Sequence, residues 1–252
     1  MVASNLCLHR GARLVELEEL RACPAPPPQG RWYPVAHGRV LDTVVGTLQD
    51  AGYQVVSRQL ALSSEGARFF GTLVLATPVA SGVSLAVGIR NSVDKSFPLG
   101  FCAGNRVFVC DNLAFRSELL VRRKHTVHGE RNFATAIANA VTSLHDFKEV
   151  EQSRIRVLMQ TELAPATADS LILRSYEKGV ISYHQLPRVI REWRAPSFEE
   201  FEPRTAWSLL NAFTTVLSER AQSQPAQFAV QTMRLNALLD PRPAEVLHAT
   251  AA

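Results

Sequence analysis

Apolar positions change period twice along the chain, from helical spacing to strand spacing and back. Val40, Leu41, Val44, Val45 and Leu48 recur at i, i+1, i+4, i+5 and i+8, which predicts an amphipathic helix that stops at Gly52. Upstream lie a short acidic amphipathic piece, Leu14 to Leu20, and the run Pro24-Ala25-Pro26-Pro27-Pro28, whose fixed φ predicts an extended connector. From Tyr53 the spacing turns strand-like. Val55, Val56, Leu60 and Leu62 precede the turn Ser63-Ser64-Glu65-Gly66, and Phe69 to Leu75 forms a second β-rich run. A turn at Pro78 to Gly82 leads to Val83 through Ile89, so three strands with short connections predict an antiparallel meander. A fourth strand is expected at Val107 to Cys110, after the turn-like Gly104-Asn105, and a fifth at Ser117 to Val121.

The helical period then returns. Phe133, Ile137, Ala140, Val141, Leu144 and Phe147, continued by Val150, Ile155 and Leu158, predict one long helix from about Glu130 to just before Pro165. Thr167 is the expected cap of the next helix and Gly179 its stop, with further helices after Pro187 and Pro203. A last amphipathic piece holds Phe228, Met233, Leu235, Leu238 and Leu239. The expected fold is α+β: about five antiparallel strands packed by a long helix, with a C-terminal helical region. The expected organisation is an N-terminal segment with a proline-rich connector (1–36), an α+β core (37–165) and helices packed on it (166–252).

Composition narrows the class. In 252 residues, 46% are hydrophobic and 20% charged, which excludes a disordered or collagen-like chain. No apolar run reaches the ~18–20 residues that cross a bilayer, so no membrane partner is expected. Met1 to Arg10 lacks the basic and apolar regions of a secretory signal, and Cys7, Cys23, Cys102 and Cys110 have unmatched spacings. Reduced thiols and a cytoplasmic location are the expectation. The net charge of +4 is mild, but its distribution is not. Arg90 to Arg131 carries eight cations against four anions, and the remaining 19 of each sign cancel.

The same stretch holds the polar sequence Arg90-Asn91-Ser92-Val93-Asp94-Lys95-Ser96 between a strand and a Pro-Leu-Gly turn, where binding groups commonly sit. Arg90, Asn91, Ser92, Lys95, Arg106, Asn112, Arg122, Arg123, Lys124 and His125 are the candidate nucleic-acid-binding residues. Arg and Lys would neutralise phosphates, Asn and Ser would donate to phosphate oxygens, and an exposed phenylalanine among Phe97, Phe101, Phe108 and Phe115 would stack on bases. Asn91, Ser92 and Asp94 are equally good turn formers, and Arg122-Arg123-Lys124 also suits a solvated strand end. An enzymatic alternative places Asp94 and Asp111 around a cation or as base, with Lys95 stabilising an anionic transition state and His125 converging on them. A third reading is an assembly or scaffold protein whose polar loop closes the sheet. No Walker loop, dinucleotide fingerprint, HExxH or nucleophile elbow is present, so no cofactor or resident metal is expected. The indoles of Trp32, Trp193 and Trp207 are expected as core or interface anchors.

Arg90 to Ser96, Gly104 to Asn112, Arg123-Lys124-His125-Thr126 and Arg204 to Thr214 together resemble the phage- and plasmid-like protein family called domain of unknown function nine-three-two. The chain departs from that pattern at Val93, where a histidine is common among members. The resemblance implies a context of mobile elements and DNA maintenance, with no established reaction. At the level of layout, a sheet followed by a long helix is similar to single-strand annealing recombinases. That analogy implies DNA, in single strands, as partner and a homo-oligomer as the working form.

Overall fold

Six strands, each antiparallel to its neighbour and adjacent in chain order, form one sheet in the computed structural model. The structure describes residues 12–107, 113–221 and 225–239. The strands are β1 (Arg13–Leu14), β2 (Val55–Leu62), β3 (Arg68–Ala80), β4 (Val83–Ser92), β5 (Leu99–Val107) and β6 (Leu113–Arg123). The helices are α1 (Leu17–Ala22), α2 (His37–Asp50), α3 (Gly129–Thr142), α4 (Leu144–Gln160), α5 (Pro165–Glu177), α6 (Leu186–Arg194), α7 (Ala206–Ala221) and α8 (Pro225–Leu239). The fold is therefore α+β, and no helix among the described residues is long and apolar enough to cross a membrane.

Several sequence expectations shift in register. The fourth strand begins at Leu99, well before Val107, and runs through Gly100, Gly104 and Asn105, so the Gly-Asn pair is strand rather than turn. Each of these residues is hydrogen-bonded into a ladder with β4, and two glycines in mid-strand hid that from composition. The residues expected as the rest of that strand, 108–110, lie outside the described ones. The long helix is broken at Ser143. The Thr142 hydroxyl donates to the Ala138 carbonyl at 3.0 Å and the Ser143 hydroxyl to Asn139 at 3.3 Å, the back-bonding that bends helices. Pro165 opens α5, with Ala164 in the capping position, so Thr167 lies inside the helix. Gly179 does follow its end at φ +64°.

Side chains alternate across the sheet with period two. One face, bearing Phe69, Leu73 and Leu75, Leu85, Val87 and Ile89, and Phe101 and Ala103, joins one apolar core with Phe133 and Ile137 of α3, Ile155 and Leu158 of α4, and Leu209 and Phe213 of α7. Close packing there requires Gly71, because a Cβ at that position would stand 2.8 Å from Cζ of Phe69. Helix α7 is buried along most of its length, and its polar groups close on its own backbone: Asn211 donates to the Trp207 carbonyl and Thr214 to Leu210. Between α4 and α8, buried Arg154 lies 3.5 Å from Glu151 and donates to Asn236 at 2.8 Å. The ion pair lies within α4, and the hydrogen bond to Asn236 is what ties α4 to α8, at the desolvation cost of a buried charge.

Phe69 is fully buried beneath this packing. Phe69→Ala should lower the unfolding free energy by about 3–5 kcal/mol, measured by urea denaturation.

Candidate functional site

The candidate site is the end of the sheet where β4 turns into β5. The turn is closed by Ser92, whose hydroxyl donates to the Phe97 carbonyl at 2.8 Å and accepts from the Phe97 amide at 3.0 Å. Inside it, Asp94 accepts from the Ser96 amide at 2.9 Å and from the Arg68 guanidinium at 2.8 Å. Burial alone would raise the Asp94 carboxyl, but the hydrogen bonds from Ser96 and the Arg68 charge outweigh it and hold the pKa at about 2. Lys95 follows at φ +67°, a left-handed conformation unfavourable for a side chain longer than glycine's. Its ammonium donates to the Gln29 side-chain carbonyl at 3.0 Å and stands 4.9 Å from the ring centre of Trp32.

The two-residue alternation separates the candidates that adjoin in sequence. Asn91 faces inward and is fully buried. Its amide donates to the Val35 carbonyl at 2.7 Å and to Nδ1 of His37 at 2.9 Å, while Nε2 of His37 lies 2.9 Å from the Gly66 carbonyl. These partners fix His37 as the neutral tautomer with its proton on Nε2, and burial pushes its pKa below the ordinary value. Asn91 and Ser92, expected as phosphate donors, are thus spent inside the protein. Polar residues between two strands signal a turn and a buried tether as readily as a binding loop.

Arg90 points the other way. The register aligns Arg90 with Gly100 and Gly100 with Arg122, so the two arginines flank a glycine on the middle strand. The Arg90 side chain crosses over that glycine, where a Cβ would meet its Cγ at 2.8 Å and its Nε at 2.9 Å. Its guanidinium lies 5.4 Å from the centre of Phe97, itself tilted against Phe70 at 5.2 Å. Burial and then the charge of Arg122 pull the Arg90 pKa down. On the same face Cys102 is an inert thiol, which burial pushes up to about 12 against the opposing pull of Arg90 and Arg122.

Arg122, Arg123 and Lys124 are exposed. Arg122 and Arg123 are adjacent strand residues and face opposite sides, with Arg123 opposite Leu99. His125 turns inward, 7% exposed, with its ring edge-on to Trp32 at 6.5 Å. Burial lowers its pKa and a hydrogen bond from the ring to the Phe97 backbone acts in the opposite direction, which leaves one ring nitrogen without a partner among the described residues. Arg106 aligns with Ser84, six residues along β5 from Gly100. At ~3.3 Å per residue it stands roughly 20 Å from the Arg90 row. Asp111 and Asn112 lie outside the described residues.

Sequence reasoning missed Trp32, Gln29, His37 and Arg68 as members of this end of the molecule. Trp32 and Gln29 bond each other through their backbones around Gly30 at φ +58°, a short turn set on the sheet end by the Tyr33 amide donating to the His125 carbonyl at 3.1 Å. A Gly between the polar residues Gln29 and Arg31 is a local turn signal, but nothing local marks its distant partner. The Arg204 to Thr214 stretch instead serves the helices. Arg204 stacks on Trp193 at 5.2 Å and donates to the Trp193 and Arg194 carbonyls, closing the end of α6, and Thr205 caps α7 by accepting from the Ser208 amide at 3.2 Å.

The chain matches no protein-family model, no curated protein and no solved structure.

The buried histidines set a pH dependence with a definite sign. His37 and His125 have folded pKa values below the ordinary 6.5, so their contribution is complete above that value and is lost as pH falls through it. Asp94, lowered from 3.8 to about 2, contributes fully above 3.8 and loses its share only in strong acid. The melting temperature should therefore fall between about pH 7.5 and about pH 5.5, and His125→Phe should flatten part of that slope in a thermal melt.

Proposed function

We propose that the chain binds nucleic acid, DNA in the first instance, through the basic end of its sheet. The observation that supports this reading most is the pair Arg90 and Arg122, set on either side of Gly100 with no carboxylate partner for either among the described residues. The charge of exposed Arg122 acts against that of half-buried Arg90, and an anion placed between them relieves that repulsion. Phosphate is the anion whose geometry suits the arginine fork. Lys95 at the turn, Arg123 at the end of β6 and Lys124 just beyond it are likewise without a carboxylate partner among the described residues, so positive charge wraps around the end of the sheet. The resemblance of Arg90 to Ser96 and of Arg123 to Thr126 to a phage- and plasmid-like family favours the same partner through its genetic context. Both Asp94 oxygens are engaged by Arg68 and Ser96, and no specific observation favours the metal-dependent reading of Asp94, Lys95, Asp111 and His125.

Fluorescence anisotropy with a labelled oligonucleotide tests this. Affinity should fall steeply with salt, and Arg90→Ala and Arg122→Ala should each weaken binding across sequences and reduce the log–log salt slope by about 1. Gly100→Val retains every charge but pushes Arg90 from its place, and should weaken binding as well. Absence of binding at low salt, or an unchanged slope in the Arg90/Arg122 double variant, would sink the proposal.

A further inference from the structure

We infer that Trp32 and His125 form a seat for one unpaired base, with Lys95 and Lys124 beside it for the flanking phosphates, so that this end of the sheet prefers single strands to duplex. The inference rests on the nucleic-acid reading and gives it a strand selectivity. Trp193 and Trp207 are 5% and 8% exposed and belong to the core, whereas Trp32 is only partly buried and sits among exposed cations: Arg31 beside it in the chain, Lys95 over its ring, and Lys124 next to its edge-on neighbour His125.

The cover over the Trp32 ring is the head group of an exposed lysine, held at 4.9 Å from the ring centre and by a hydrogen bond to Gln29. An ammonium can leave an aromatic face for a phosphate, and the flat face it vacates suits a base, which stacks on any aromatic ring irrespective of sequence. Lys95 keeps this position from a left-handed backbone, a conformation that persists only where its surroundings impose it.

A second observation comes from the ring edges. Nε1 of Trp32 and one ring nitrogen of His125 are buried and have no hydrogen-bond partner among the described residues, the other His125 nitrogen being turned to the Phe97 backbone. The imidazole nitrogen turned away from Phe97 is the kind of group that meets the polar edge of a base stacked on the neighbouring indole. Buried polar atoms are almost always paired, so two left unpaired beside one partly open ring mark a place completed from outside. Bases in a duplex are stacked and paired and cannot take that seat.

The test uses the full chain, a labelled oligothymidine and a duplex of equal length at low salt, with intrinsic tryptophan fluorescence as a second signal. Trp32→Ala should weaken oligothymidine binding about tenfold and change duplex binding less than twofold, and Trp32→Phe should restore most of the loss. Quenching of tryptophan emission by oligothymidine should disappear in Trp32→Phe, because the two remaining indoles are buried. Thermal melts establish that the variants are folded. If Trp32→Ala binds oligothymidine as tightly as the parent while Arg122→Ala is weakened, the base seat is wrong and the basic end stands. Equal losses on single strand and duplex also overturn the seat, since they indicate displaced charge rather than stacking. If the parent chain binds neither nucleic acid, the basic end and the base seat fall together.

Discussion

The end of the sheet is organised by one buried side chain. Asn91 has both amide hydrogens engaged, one by the Val35 carbonyl and one by His37 at the start of α2. His37 in turn reaches Gly66 in the β2–β3 turn, so a single polar chain joins the segment before α2, the helix itself, strand β4 and the β2–β3 turn. Breaking it would strand several buried donors and acceptors at once, which costs more than the net worth of any single bond. Because Val35 is held, the preceding turn around Gly30 is set against the sheet end, and Trp32 meets Lys95 and His125 there.

Arg90 depends on the same strand geometry. Its neighbours Ile89 and Asn91 point into the core, and this leaves Arg90 on the other face, flat across Gly100 and beside Phe97. A glycine at that register position is required by space rather than by backbone conformation, and it brings two arginines to the same row. Close cations without carboxylates raise the energy of the free protein and lower that of an anion complex. The acidic residue nearest in sequence, Asp94, is withheld from them by Arg68 and the turn amide.

The helical half supplies rigidity more than chemistry. Its polar side chains satisfy their own helices, and its arginines close helix ends or pair with neighbouring groups, as Arg204 does at α6 and Arg154 does between α4 and α8. The division of labour follows from burial: polar groups inside are satisfied internally, as Asn211, Thr214 and Arg154 are, whereas the cations at the sheet end face water.

The chain's own pattern determined the fold class, the meander of β2 to β4, the first long helix with its glycine stop and the segment carrying the excess charge, because each depends on periods and composition within a few turns of chain. Local reading lost the start of β5, where Gly100, Gly104 and Asn105 have the composition of a turn yet are paired across the sheet. It also treated Arg90, Asn91 and Ser92 as one cluster, and Arg122 with Arg123 as another. Strand pairing decided that these neighbours face opposite ways and that Arg90 meets Arg122 from more than thirty residues away, and the Tyr33–His125 backbone bond decided that Trp32 sits beside His125. Those contacts are set by register between strands and by a buried amide far along the chain, and such long-range hydrogen bonds leave no mark on the residues that immediately surround each partner.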